Sequence, residues 1–130
     1  MYEEITEKIK ITVKPEFLDE HSDPDEKRFI WAYHVKIENF SDDTVKLVSR
    51  SWTISDSLGR VQEVRGSGVV GENPTLKPGS SFEYTSGTPL NTPSGFMVGT
   101  YKMKKNNGST FNAHIPPFSL DSPHEKGLQN

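Results

Sequence analysis

The sequence predicts an all-β domain, an antiparallel sandwich or barrel. Three observations carry this. Apolar and polar residues alternate with period two in several separate runs. Clusters rich in Gly, Pro, Asn and Asp stand between those runs. No window longer than a turn or two has the apolar spacing of an amphipathic helix.

In chain order, "KIKITVKP" places Ile9, Ile11 and Val13 on one face and Lys8, Lys10, Thr12 and Lys14 on the other. "FIWAYHVKIEN" puts Phe29, Trp31, Tyr33, Val35 and Ile37 on one buried face, opposite His34, Lys36 and Glu38. "VKLVSRSWTISD" begins in the phase of Val45 and Leu47 and continues in the phase of Trp52 and Ile54, so a bulge is expected near Ser49 and Arg50. "SDD" and "DSLGR" are turns. "FEYTS" is a strand with Phe82 and Tyr84 on one face, and "FMVGTYKM" one with Met97, Tyr101 and Met103 in phase. "KNNGS" is a hairpin turn, because Asn-Gly tolerates positive φ, and it leads into "TFNAHIPPF". Residues 1–120 form one domain, with no internal repeat. Residues 121–130, "DSPHEKGLQN", are expected to fray as a polar tail.

Composition narrows the function. At 130 residues there is room for one core only. Apolar residues make up 32% of the chain, so seven Phe, four Tyr and two Trp must supply much of that core. A net charge of −3 argues against nucleic-acid binding, which needs a basic surface. Without cysteine there are no disulfides and no thiolate metal sites. "MYEEITEKIKITV" lacks the apolar run of a secretion signal, and no stretch approaches the roughly 18 apolar residues of a membrane span. A cytoplasmic protein without membrane contact is expected.

"GSGVVG", residues 66–71, matches the Gly-x-Gly-x-x-Gly pattern of pyrophosphate-binding loops. That chemistry needs a buried strand before the glycines and a helix N-terminus after them. Here "GRVQEVR" precedes and "ENPTLKPG" follows, with Pro74 and Pro78 barring a regular helix, so the dinucleotide reading fails on context. Two roles remain for Gly66, Gly68 and Gly71: turn geometry, or a small anion- or partner-binding loop with Arg65, Glu72 and Arg60 nearby. Geometry is the commoner use of such a loop.

The block from "SRSW" to "GTYKM" resembles the ApaG proteins, a bacterial family. "GVVGENP", "PGSSFEYTSG", "TPSGFMVGTY" and "IPPF" occur together in the family's order and spacing, and the resemblance covers roughly residues 5 to 120. It implies an immunoglobulin-like, fibronectin type III-like β-sandwich with no established catalytic activity. It also implies a link to cobalt resistance and magnesium efflux, and a role as a protein-binding module in larger eukaryotic proteins. Family members often carry a His or Tyr between the Arg and Trp of the third strand; Ser51 stands there in this chain.

The remaining chemistry-bearing groups are sparse. "DEHSDPDEK", residues 19–27, gathers Asp19, Glu20, Asp23, Asp25 and Glu26 around His21, ligand types suited to Mg²⁺ or Co²⁺. The spacing is not that of an EF-hand, and a solvated loop is the default. His34, His114 and His124 form no short ligand motif. No Ser has a nucleophile-elbow context and no carboxylate pair stands out, so neither catalytic residue nor cofactor nor metal is assigned. Arg50 is a candidate surface contact, Trp52 a core residue, and Tyr84, Thr85 and Ser86 offer hydroxyls at a strand end. The expected function is a non-enzymatic module for an as yet unknown protein partner, in a monomer or weak dimer. The alternative is a sensor of a pyrophosphate-containing nucleotide or a divalent cation, through the glycine loop or the acidic loop.

Overall fold

The computed structural model describes residues 1–124. Among the described residues nine strands form the fold: β1 (Tyr2–Thr6), β2 (Ile9–Phe17), β3 (Phe29–Asn39), β4 (Val45–Asp56), β5 (Val61–Ser67), β6 (Thr75–Leu76), β7 (Ser81–Leu90), β8 (Ser94–Lys105) and β9 (Thr110–Asp121). They make two antiparallel sheets, ordered β1-β2-β3-β7 and β5-β4-β8-β9, with the short β6 added to β4. This is the expected sandwich.

The alternation read in the sequence is the burial pattern of the strands. Along β3, every second residue from Phe29 to Asn39 is buried. Ile9, Ile11 and Val13 of β2 are fully buried opposite lysines that are not. The phase change in β4 is a register shift between Leu47 and Ser49 in its pairing with β8, which makes Val48 the extra residue. The bulge turns Arg50 into line with Trp52 and Ile54, both buried between the sheets. At the centre Trp52 meets Tyr33, Phe118 and Tyr101 at ring-centroid distances of 5.4, 5.9 and 6.5 Å, all edge-on. Edge-on pairs are each worth about 0.5–1.5 kcal/mol beyond the area they bury.

Three details differ from expectation. A short β1 precedes the first expected strand, joined to it by a tight turn at Glu7 and Lys8, both with positive φ. β2 is therefore an inner strand. β5 was not foreseen; it is an edge strand with no fully buried residue, so it carries no alternation to read. The chain also stays packed beyond residue 120. Asp121 ends β9, the buried Ser122 donates its amide to the Pro93 carbonyl at 3.0 Å, and the His124 ring lies 5.7 Å from that of Phe17. The rest of the expected tail, residues 125–130, lies outside the described residues.

The two sides of the sandwich are unlike. On one, β1 and β9 are joined: His114 N–H donates to Thr6 Oγ1 at 3.1 Å, Ser119 N–H donates to the Tyr2 hydroxyl at 3.4 Å, and the Tyr2 and Phe118 rings lie 6.1 Å apart. On the other, the edge strands β5 and β7 face each other unpaired across a cleft.

Candidate binding cleft on the open side

The glycine motif belongs to the wall of this cleft. β5 ends in Gly66 and Ser67, and Val69 and Glu72 then exchange backbone hydrogen bonds of 2.8 Å in each direction around Val70 and Gly71. Gly68 N–H donates to the Val48 carbonyl at 3.0 Å. With φ at +61°, Gly68 sits so close to the next strand turn that a Cβ there would lie 2.1 Å from the Glu72 carbonyl oxygen. The Asn73 side-chain amide ties the loop to the Leu47 and Val48 carbonyls at 3.2 and 3.0 Å. The amides of Gly68, Val69 and Glu72 are thus engaged inside the protein, as turn geometry requires and as a phosphate cradle does not.

Gly66 has a separate role. It pairs with Arg50 across β4 and β5, and the guanidinium lies over it: a Cβ at Gly66 would be 3.0 Å from Arg50 Nη1 and 3.1 Å from Nη2. From there Nη1 donates to the Ser67 carbonyl at 3.1 Å and the Gly68 carbonyl at 2.9 Å. The bulge at Val48 aims Arg50 inward, the glycine makes room for its head, and the loop carbonyls hold it.

Arg50, half-buried, therefore lines an inter-sheet cleft of about 260 Å³. β3 and β4 supply Tyr33, Trp52 and Ile54, β5 supplies Gln62 and Val64, and β7 supplies the stretch from Ser86 to Pro89. Ile54, Gln62 and Pro89 also line an adjoining recess of about 160 Å³ that reaches Asp56 and Arg60. The two share these residues and adjoin along the open side, and are together called the groove. From Gln62 to Gly66 β5 advances roughly 14 Å, at about 3.4 Å per residue.

The polar groups beside Arg50 are neutral. Burial raises the Tyr33 phenol above its ordinary value, and the Ser86 hydroxyl and the Arg50 charge bring it only part of the way back. Burial likewise raises Tyr84 and Tyr101, whose hydroxyls hydrogen-bond each other in the core. Among the described residues Arg50 is the cleft's single charge.

The sequence-derived residues divide as follows. Arg50 and Ser86 line the cleft, and Tyr84 lies buried next to it. Thr85 points the other way, to the outer face, where it bonds the His34 ring. Arg65 is also exposed on its strand and lies 3.8 Å from Glu63. Glu72 serves the loop through its backbone. Arg60 belongs to the far end of the groove and pairs with Asp56 at 2.7 Å. Tyr33, Gln62, Val64 and Thr88 were missed as site residues. Tyr33 reads as core, and the apposition of β5 with β7 is a property of the sheet order.

The acidic loop gathers no metal site: among the described residues no three His, Asp or Glu side chains come together as a ligand set. Residues 19–21 and 24–26 form two short 3₁₀ turns, with none of their residues buried. His34 and His114 lie on different sheets. Among the described residues no helix is long and apolar enough to cross a membrane.

Known proteins match this chain over its whole length. The family model described as the ApaG domain matches residues 19–105, from the acidic loop to the end of β8. Two relatives named Protein ApaG, from Rhodospirillum centenum and Paramagnetospirillum magneticum, are each 59% identical over 130 residues, all of this chain and all of theirs. The crystal structure described as that of an ApaA protein from Bordetella pertussis superposes with a TM-score of 0.86. It is 46% identical, with 89% of this chain and 94% of that one covered. The chain belongs to the ApaG family.

Proposed function

We propose that the protein is a non-catalytic binding module that recognises a protein partner through the open side between β5 and β7. The observation that carries this is Arg50: a half-buried guanidinium, aimed between two unpaired strand edges by a bulge and a glycine, with no role in the core's apolar packing. Free edges and a preformed groove are the means by which sandwiches recruit extended segments. Among the described residues no nucleophile–base pair lines the groove, which supports recognition over turnover. The link to cobalt and magnesium that the resemblance implies would then run through the partner.

The test is site-specific photo-crosslinking in cells, with a benzophenone amino acid at Gln62 in the groove or at Thr12 on the outer face of β2. A discrete protein adduct from Gln62 and none from Thr12 is expected. Equal labelling from both positions, or none from Gln62, would overturn the assignment of the open side.

A further inference from the structure

We infer that the Arg50 cleft takes a carboxylate carried by an extended peptide segment, laid along the groove against β5. This rests on the binding-module reading and gives its partner a chemistry.

Charge points to an anion. Arg60 and Arg65, both exposed, have Asp56 and Glu63 beside them, whereas half-buried Arg50 has no carboxylate partner among the described residues. Its Nη1 holds the loop carbonyls, while Nε and Nη2 have no hydrogen-bond partner there. Nε and Nη2 thus remain open to a ligand, and the planar fork of a guanidinium fits a carboxylate. The tyrosines around it stay neutral, so nothing inside the cleft cancels that charge.

Number and shape select among anions. One cation suits one negative charge, whereas phosphate chains are met by several donors and cations together. Ile54, Val64 and Pro89 give the groove apolar contacts, and Gln62, Ser86 and Thr88 add polar ones that suit a peptide's side chains and backbone. The span of β5 from Gln62 to Gly66, roughly 14 Å, matches four or five extended residues.

The edges select the docking strand. Pro89 removes an amide donor from β7 at the groove, which disfavours pairing there. β5 has no proline and pairs on one side only, with β4. A peptide strand added to β5 would bring alternate side chains into the cleft, and the position opposite Gly66 would meet Arg50.

The probes are three hexapeptides of alternating valine and threonine: one capped with a central glutamate, one capped with glutamine instead, and the glutamine peptide ending in a free carboxylate. Titrations would follow the backbone amide signals of Val64, Gly66 and Ser86 by NMR, with inorganic phosphate as a fourth probe. At least one carboxylate peptide should bind about tenfold or more tightly than the capped glutamine peptide. Which one does so tells a side-chain acid from a chain terminus. Arg50→Gln should abolish that preference. Gly66→Ala, which keeps the charge but displaces the guanidinium, should weaken it while the spectrum remains dispersed. Equal affinity for all three peptides, an Arg50→Gln variant that binds as well as the parent, or binding of phosphate alone would overturn the inference. If Gln62 still cross-links a protein in that case, the binding-module reading stands and only the carboxylate chemistry falls.

Discussion

The two sides of the sandwich solve the same problem differently. Where β1 meets β9, strand edges are joined by hydrogen bonds from His114 and Ser119 and by the Tyr2–Phe118 ring contact. Where β5 meets β7, the edges stay apart, and a charged side chain stands at the gap. Closing an edge removes a liability; leaving one open, with Pro89 on one wall and Glu63 and Arg65 on the other, keeps it from self-pairing while a specific segment can still enter. On the proposed reading, the closed side carries stability and the open side recognition.

The largest effect should come from breaking the closed side's anchor. Phe118 touches Tyr2, Tyr33 and Trp52 and is 2% exposed. Phe118→Ala should cost about 3–5 kcal/mol in urea denaturation. Val64→Ala, on the open side, should cost about 1 kcal/mol. Similar losses from the two would erase the distinction between the sides.

Gly68→Ala comes next. Its positive φ and the Glu72 carbonyl make an added methyl strained, at about 1–3 kcal/mol or more. Gly71→Ala, also at positive φ but in open space, should cost less by thermal denaturation.

The buried hydroxyl pair sharpens the comparison further. Tyr101→Phe leaves the Tyr84 hydroxyl without its partner and should cost about 1–2 kcal/mol, while the double change to Phe should cost less than the two single changes summed. The pH dependence has a definite sign. Tyr33, Tyr84 and Tyr101 have folded values above the ordinary 10.0, so their contribution is complete below pH 10 and is lost as pH rises beyond it. Stability should fall in alkali, and fall less in Tyr101→Phe.

The smallest effect belongs to the end of the groove. Burial opposes ionisation of Asp56, but the Arg60 amide and side chain and the Leu58 amide outweigh it and hold the carboxyl below 3.8. Its contribution is present above that value and lost as pH falls through the lower folded one. Asp56→Asn should lower stability slightly at neutral pH and leave it unchanged in strong acid, which flattens the acid limb.

Much of this architecture is legible in the residues. Alternation in β3, the phase change at Val48 and the Asn-Gly hairpin each have a local cause. β1 was hidden because Glu7 and Lys8 turn the chain without Gly, Asn or Pro. β5 was hidden because an exposed edge has no face to alternate. Of the site, Arg50, Tyr84 and Ser86 were picked out by residue type, but Thr85 points to the opposite face. The cleft itself depends on two strands far apart in the chain standing opposite one another without pairing. No local pattern encodes that.

Amide hydrogen exchange, resolved by residue, tests the contrast most directly, because β1 and β5 are both outer strands with one paired neighbour each. Exchange should be slower for the amides of Tyr2–Thr6, held against β9, than for those of Val61–Ser67. The glutamate peptide should slow exchange in β5 and leave β1 unchanged. Equal protection of the two strands in the free protein, or slowing by the peptide in β1 alone, would contradict the division into a closed, stabilising side and an open, recognising one.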